Sequence, residues 1–262
     1  MTDKMKNLIV RTITGVLFVA IMVTSFLYAV GMFVLFALIT GLTIWEYTGL
    51  VNERDDVQVN RLISTVAGVY LFFAIAGYVT GMTPTMGVFV PYLLTVVYLF
   101  ISGLYTQTAN PLNDWAYTML SQMYIALPLS MITVLAFQTD DMGMIHFNTL
   151  LPLSVFIFLW ANDTGAYCFG SLFGRHKLFP RISPGKTWEG SIGGGLLVLV
   201  VASALGYYEN NYVQDTTTGL SVIEWAGLGL VVVLFGTWGD LVESLFKRTL
   251  GVKDSGNILP GH

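Results

Sequence analysis

The chain has 262 residues, of which 55% are hydrophobic and 11% are charged, and its formal net charge is −4. Soluble domains carry roughly twice that share of charged residues, so this composition excludes a soluble globular protein and predicts an integral membrane protein. The single cysteine, Cys168, excludes an internal disulfide. No polar stretch is long enough to fold separately, which predicts one membrane-embedded domain over residues 1–262.

Apolar stretches recur along the whole chain, and a helix needs about 20 such residues to cross a bilayer. The predicted fold class is all-α: a polytopic integral membrane helical bundle with about eight transmembrane helices in this chain. We place them near residues 10–29, 32–50, 62–80, 86–104, 115–137, 148–171, 189–208 and 224–246. The first two are separated only by the short segment Tyr28-Ala-Val-Gly31, so they should form a tight helical hairpin. The first is interpreted as an uncleaved helix, because no clear signal-peptide cleavage site follows it.

The basic residues predict the orientation in the membrane. All twelve Lys and Arg lie in the N-terminus, in the 51–61 and 174–188 loops, or at 247–253, and none lies in the alternate connections. By the positive-inside rule, both ends of the chain and the 174–188 loop are cytoplasmic. We therefore expect a protein embedded in the lipid of a membrane, with both ends of the chain on the cytoplasmic side and with no nucleic-acid partner.

Polar residues interrupt the sixth predicted helix. A carboxylate such as Asp163 is costly in hydrocarbon and should face a protein-lined or water-filled interior. Asn162 and Thr164 add hydrogen-bonding capacity beside it, while Gly165 permits close approach of another helix. The alternative is an interhelical hydrogen-bond cluster that only fixes packing.

The 174–188 loop ends in Ser183-Pro-Gly-Lys-Thr187, followed by Trp188 and Glu189. Pro184 and Gly185 are expected to turn the chain, so that a lysine and two hydroxyls converge on a phosphate-sized site. The segment is not a P-loop, because the upstream glycine, its spacing and a preceding strand are missing. Plain positive-inside anchoring by the loop cations remains the alternative.

The last predicted helix combines carboxylates with cations. Asp240, Ser244 and Lys247 are spaced i, i+4, i+7 and therefore share one helical face. Asp240 offers the hard oxygen ligand that Mg²⁺ prefers, and Lys247 with Arg248 could neutralise phosphates. The competing explanation is an Asp–Lys pair across one helical turn, together with two snorkelling cations at the membrane boundary.

These segments resemble the bacterial-type phosphatidate cytidylyltransferases, also called CDP-diglyceride synthetases. The resemblance covers nearly the whole chain and is most specific in the run from Ser244 to His262, which matches the family signature Ser-x-x-Lys-Arg-x-x-x-x-Lys-Asp-x-x-x-x-x-Pro-Gly-His. It implies that CTP and phosphatidate, the two substrates, give CDP-diacylglycerol and pyrophosphate. The elements at 162–167 and 183–190 also resemble that family and occur in its order.

The resemblance also implies the roles of individual residues. Asp240 matches the metal-binding aspartate and is expected to hold Mg²⁺, with K⁺ as a possible second cation. The catalytic set is expected to comprise Asp240, Lys247, Arg248 and Asp254. The substrate-binding set is expected to comprise Asn162, Asp163, Ser183, Lys186, Thr187, Glu189, Ser244, Lys253 and His262.

The family pattern continues beyond its histidine with a Leu-Asp-x-x-Asp stretch, whereas this sequence stops at His262. We therefore expect the recorded chain to be truncated within its signature. Two other functions remain open: a CTP-dependent polyprenol kinase, and an ion-coupled transporter that uses intramembrane carboxylates. A homodimer also remains open as the assembly of this protein.

Overall fold

The structure is a computed structural model that describes residues 3–140, 142–213 and 218–252. Its helices are α1 (Asp3–Phe26), α2 (Ala29–Val51), α3 (Arg61–Val79), α4 (Val90–Ser102, after a 3₁₀ turn at Met86–Phe89), α5 (Pro111–Leu120), α6 (Leu127–Ala136), α7 (Leu150–Phe173), α8 (Trp188–Tyr212) and α9 (Val222–Thr249). A π-helical stretch, Ser121–Ala126, joins α5 to α6. The strands are β1 (Phe137–Thr139), β2 (Ile145–Phe147), β3 (Lys177–Phe179) and β4 (Ser183–Thr187). The fold is nearly all-α, as the composition predicts.

Within the described part of the chain, five helical segments are long and apolar enough to cross a membrane: 29–51, 61–79, 111–136, 188–212 and 222–249. Two shorter apolar helices, Thr12–Phe26 and Met86–Ser102, occupy further predicted positions. The sixth predicted span coincides with α7, which carries the polar residues around Asp163. A polytopic helical membrane protein is therefore confirmed, and most predicted boundaries lie within a few residues of the helix ends.

The described residues divide into two compact units, one up to Thr149 and one from Leu150 onward. The single membrane-embedded domain over residues 1–262, catalytic according to the family resemblance, stays a prediction. In the first unit, only Leu27 and Tyr28 separate α1 from α2, which confirms the tight helical hairpin. The core of this unit is apolar and aromatic, with Phe36, Ile44 and Phe72 fully buried.

The π-helical stretch of the first unit coincides with a proline. Pro128 lies in the first turn of α6 and has no backbone N–H, so a carbonyl one turn earlier loses its α-helical partner. Within the stretch, Gln122 is fully buried and donates from Nε2 to the Ser64 carbonyl of α3 at 2.9 Å. Four of its six residues are buried, so most of the irregular backbone lies inside the protein, where membrane helices tolerate it.

A short hairpin, β1–β2, fills the predicted connection between the fifth and sixth spans. Asp140 organises its turn: one carboxylate oxygen accepts hydrogen bonds from the Met142 and Met144 amides, and the other lies 2.9 Å from His146 Nε2. His146 is exposed, as expected for a surface residue. The hydrogen bond from the His146 ring lowers the pKa of Asp140 below its ordinary value.

The second unit consists of α7, α8, α9 and the antiparallel ribbon β3–β4. Glycines allow the backbones of α7 and α8 to approach each other closely. A Cβ atom added to Gly165 would lie 2.8 Å from the Cα of Gly194, and one added to Gly190 would lie 2.8 Å from the Ala166 carbonyl oxygen. The predicted close approach at Gly165 is therefore confirmed.

A buried carboxylate ties α8 to α9. Glu209, fully buried near the end of α8, accepts hydrogen bonds from the Thr218 amide at 2.8 Å, the Thr218 hydroxyl at 2.6 Å and Trp225 Nε1 at 2.9 Å. The Trp225 ring also packs edge-to-face against Phe158 of α7, with ring centroids 6.3 Å apart. Each of these partners donates to the carboxylate, so its oxygens have hydrogen bonds although the residue is fully buried. It fixes one end of the three-helix unit.

Candidate active site

A cavity of about 200 Å³ lies within the second unit. Its walls come from α7, from the end of strand β4, from the first turn of α8 and from α9. The polar residues that line it are Asn162, Asp163, Lys186, Thr187, Ser191 and Thr237. Four of these were predicted as substrate-binding residues, so the structure brings the sixth-span residues and part of the Ser-Pro-Gly-Lys-Thr segment to one place.

An ion pair between Lys186 and Asp240 stands beside this cavity. The Lys186 side chain is 28% exposed, and the Asp240 side chain is 52% exposed. Asp163 interacts electrostatically with both of them. One ammonium group therefore serves two carboxylates, which leaves the cluster with a surplus negative charge that attracts cations.

The polar residues of α7 do not form the interhelical hydrogen-bond cluster that was the alternative for them. Thr164 donates back to the Trp160 carbonyl of its own helix at 2.8 Å. Asn162 is 6% exposed, and its Oδ1 accepts no hydrogen bond from the residues that the structure describes. A buried polar atom without a partner costs free energy. Packing alone therefore does not account for this amide beside the cavity.

Two of the predicted substrate-binding residues shape the site's backbone. Thr187 is buried and caps α8, because its hydroxyl accepts a hydrogen bond from the Gly190 amide at 3.2 Å. Glu189 accepts from the backbone amides of Arg175 and His176, and one of its oxygens lies 2.6 Å from His176 Nδ1. Glu189 thus holds the start of the ribbon against the start of α8.

The prediction of a turn at Pro184 and Gly185 is wrong. Both residues lie within strand β4, and the chain reverses before it, where the Ile182 amide donates to the Phe179 carbonyl at 3.2 Å. Proline is tolerated there because a two-stranded ribbon has only edges and the pairing is irregular between Lys177 and Phe179. Ser183 pairs with Phe179 in the ribbon and does not line the cavity.

The contacts of the α9 side chains differ from the Asp–Lys pair that was the competing explanation for them. Lys247 pairs with Glu243 at 2.6 Å, one turn earlier, whereas Asp240 pairs with Lys186 of the ribbon. Ser244 is half-buried and Arg248 is exposed, and neither lines the cavity. The anticipated Asp240–Lys247 pair along the helix is therefore not observed.

Helix α9 ends at a glycine that adopts a left-handed backbone conformation. Gly251 has φ +73°, its amide donates to the Arg248 carbonyl, and the Val252 amide donates to the Lys247 carbonyl. The predicted site residues Lys253, Asp254 and His262 lie outside the described residues. Within the described residues, no group of three or more His, Cys, Asp or Glu side chains is arranged to hold a metal.

Two cavity residues were missed in the sequence, Ser191 and Thr237. Their helical spacing from predicted site residues could have identified both. Ser191 follows Thr187 by four residues, and its hydroxyl donates to the Thr187 carbonyl at 3.2 Å. Thr237 precedes Asp240 by three residues and so lies on the same face of α9.

Comparison with known proteins agrees with the resemblance. The model of the cytidylyltransferase family matches residues 9–262. A phosphatidate cytidylyltransferase from Staphylococcus aureus (strain COL) is 42% identical over 149 residues, which are 57% of this chain and 51% of that protein. The namesake from Staphylococcus epidermidis (strain RP62A) is 32% identical over 256 residues, 97% of this chain and 90% of that protein. The chain thus spans about half the length of the first relative and nine-tenths of the second.

Proposed function

The chain belongs to the cytidylyltransferase family, and on that premise we propose that it transfers the cytidylyl group of CTP to phosphatidate. The products would be CDP-diacylglycerol and pyrophosphate. One structural observation carries the proposal: the Lys186–Asp240 pair and Asp163 stand together beside a polar cavity in an apolar protein. The names of the similar proteins support the choice of substrates.

The proposed reaction is an in-line displacement at phosphorus. A phosphate oxygen of phosphatidate attacks the α-phosphorus of CTP and forms a new P–O bond. The bond from the α-phosphorus to the oxygen bridging the β-phosphate breaks, and pyrophosphate leaves with the electron pair. The attacking oxygen is already ionised at neutral pH, so no general base and no covalent enzyme intermediate are needed. Catalysis then depends on positioning and on stabilising negative charge.

The cations of the second unit suit that task. Lys186 lines the cavity, and its ammonium group can turn from Asp240 to a bound phosphate. Lys247 and Arg248 follow on α9 and would neutralise further phosphate oxygens. The Asn162 Oδ1 beside the cavity accepts no hydrogen bond from the described residues, which suits a donor on the substrate. The proposal also includes the remaining roles that the resemblance implies. These are a catalytic role for Asp254 and substrate binding by Ser183, Ser244, Lys253 and His262.

The donor set fits a magnesium ion. Mg²⁺ is commonly held by one or two carboxylates together with waters and substrate phosphates. Asp240 would supply the protein ligand, with the neighbouring charge of Asp163 adding to the attraction. When bound, Mg²⁺ would offset the charge of the phosphates and polarise their oxygens. A second cation, K⁺, rests on the family resemblance alone.

The membrane placement completes the proposal. The apolar helices make this a membrane protein, and the similar proteins are bacterial. We place it in the inner membrane with the cavity and both ends of the chain on the cytoplasmic side, where CTP is available. The positive-inside distribution of Lys and Arg supports that orientation. Reaction of substituted cysteines with an impermeant reagent in intact cells tests it: residues of the 174–188 ribbon should stay unlabelled until the cells are opened.

Asp240→Asn tests the catalytic assignment in the full-length protein. The substitution removes the charge while keeping size, and we expect turnover with CTP, phosphatidate and Mg²⁺ to fall by at least about a hundredfold. Asp55→Asn, an exposed aspartate in the other unit, is the matched control and should leave turnover unchanged. Full activity of Asp240→Asn would remove Asp240 from the site.

A further inference from the structure

The ribbon β3–β4, with the residues flanking it (174–188), carries three exposed cations, Arg175, Lys177 and Arg181. Within residues 3–140, 142–213 and 218–252, no carboxylate forms an ion pair with any of them. Three positive charges therefore stand uncompensated on one short segment. They have no task in the cavity described above, since none of them lines it.

The acidic groups near this segment are engaged with other partners. Glu189 accepts hydrogen bonds from the His176 ring and from nearby backbone amides. Asp240 is paired with Lys186. Neutralising a ribbon cation with either acid would therefore break an existing contact.

The two arginines of the 51–61 loop, in contrast, contact partners within the protein. Arg54 forms two hydrogen bonds to Asp56, each 2.9 Å long. Arg61 stacks over the Trp45 ring, with 4.1 Å between its guanidinium carbon and the ring centroid, and donates to the Trp45 carbonyl. Positive-inside anchoring needs only that a cation be present on the cytoplasmic side. It does not explain why the ribbon cations alone among these loop cations lack such partners.

The ribbon is held in place beside the cavity. Phe179 packs edge-to-face on Trp238 of α9, with ring centroids 5.8 Å apart. Lys177 pairs across the ribbon with Thr187, which lines the cavity. Cross-strand partners project from the same face of a ribbon. A cation at 177 therefore stands on the face that leads to the cavity wall.

The same segment is flanked by exposed apolar side chains. The end of α7 exposes the apolar side chains of Leu172 and Phe173, and the start of α8 exposes Trp188. Exposed apolar residues at the ends of spanning helices, tryptophan above all, belong at the level of the lipid headgroups. The ribbon cations just beyond them are thus within reach of lipid phosphates but not of the hydrocarbon.

We propose that Arg175, Lys177 and Arg181 form a docking surface for the headgroup of an anionic phospholipid, a phosphomonoester, and deliver this lipid to the neighbouring cavity. The lipid's identity as phosphatidate rests on the proposed function. Two guanidinium groups can each hold phosphate oxygens in a two-pronged contact, which favours a headgroup with several free oxygens. A phosphomonoester carries more negative charge than the phosphodiester of phosphatidylglycerol, so three cations should prefer it.

Binding of short-chain lipids to the full-length protein in detergent tests the proposal, with titration calorimetry as the measurement and no CTP present. Dihexanoyl phosphatidate is the probe, and dihexanoyl phosphatidylglycerol, inorganic phosphate and CTP are titrated separately. Arg181→Gln should raise the Kd for phosphatidate about fivefold, and the triple variant R175Q/K177Q/R181Q at least about tenfold. Arg54→Gln, which removes a paired arginine from another loop, is the matched control and should leave that Kd unchanged.

Several results would overturn the docking surface. These are an unchanged phosphatidate Kd in folded ribbon variants, an equal loss in Arg54→Gln, and a rise in the Kd for CTP instead of for the lipid. Binding of inorganic phosphate that matches the lipid and weakens with it would assign the cations to free phosphate. Because no CTP is present, the lipid Kd is measured independently of turnover. If the ribbon variants bind phosphatidate more weakly but the unaltered protein makes no CDP-diacylglycerol, the docking surface stands and the proposed reaction is refuted.

Discussion

Gly194→Ala perturbs the packing of α7 against α8 beside the cavity. The added Cβ would lie 2.7 Å from both the carbonyl oxygen and Oδ1 of Asn162, and 3.2 Å from the Ala166 amide nitrogen. Two of these atoms are backbone in a long helix, so relief requires the helices to separate. Overpacking of this kind costs about 1–3 kcal/mol, which exceeds the ~1 kcal/mol that alanine gains over glycine in a helix. We expect a net loss of stability and displacement of Asn162.

The neighbouring glycine provides the control for this substitution. A Cβ on Gly195 would meet only Val233 Cγ1, at an ordinary 3.5 Å. Gly195→Ala should therefore be neutral or stabilise the protein by up to about 1 kcal/mol.

Thermal unfolding in detergent measures the stability of both variants, and turnover in mixed micelles measures the state of the site. Gly194→Ala should lower the Tm by several degrees and reduce turnover, whereas Gly195→Ala should do neither. Equal Tm values for the two variants would refute the close α7–α8 contact and the glycine argument built on it.

Three further predictions address the supports of the fold. Thr187→Val removes the cap of α8 and should lower the free energy of unfolding by about 1 kcal/mol in thermal unfolding, while Thr187→Ser should not. Glu209→Ala leaves the buried Trp225 donor and the half-buried Thr218 donors without an acceptor and should cost at least about 1–3 kcal/mol; a wild-type Tm would contradict the contact. The hydrogen bond from the His146 ring lowers the pKa of Asp140. Its contribution to the stability of the β1–β2 hairpin is therefore fully present above the ordinary aspartate pKa of about 3.9. The contribution is lost as the pH falls through the lowered pKa of the folded protein. NMR titration should show the Asp140 pKa rising toward ordinary in His146→Ala, and an unchanged pKa would discount the contact.

The helices and much of the cavity could be predicted from the sequence because each depends on local pattern. Apolar length marks the spans, and the cost of burying Asp163 in hydrocarbon marks α7 as a functional helix. Helical spacing also places Thr187 and Ser191 together, although only the first of them was singled out. The family assignment is confirmed by the match over residues 9–262, while the reaction and the individual site roles remain proposals.

Contacts between distant segments could not be predicted in this way. The face shared by Asp240 and Lys247 was correct in spacing, but the partner of Asp240 is Lys186, more than fifty residues away. Competition from Glu243 for Lys247 is a matter of rotamer and tertiary packing. Likewise, Pro184 and Gly185 read locally as a turn, and only pairing with β3 makes them a strand.

The fate of the CTP phosphates tests the central claim most directly. The full-length protein is incubated with phosphatidate, Mg²⁺ and CTP labelled with ³²P at either the α- or the γ-phosphate. Cytidylyl transfer predicts label in the lipid from α-labelled CTP only, with the γ-label released as pyrophosphate. Label in a lipid from γ-labelled CTP, with CDP as the other product, would contradict it and indicate a lipid kinase. Ligand flux in proteoliposomes without any consumption of CTP would instead indicate a transporter.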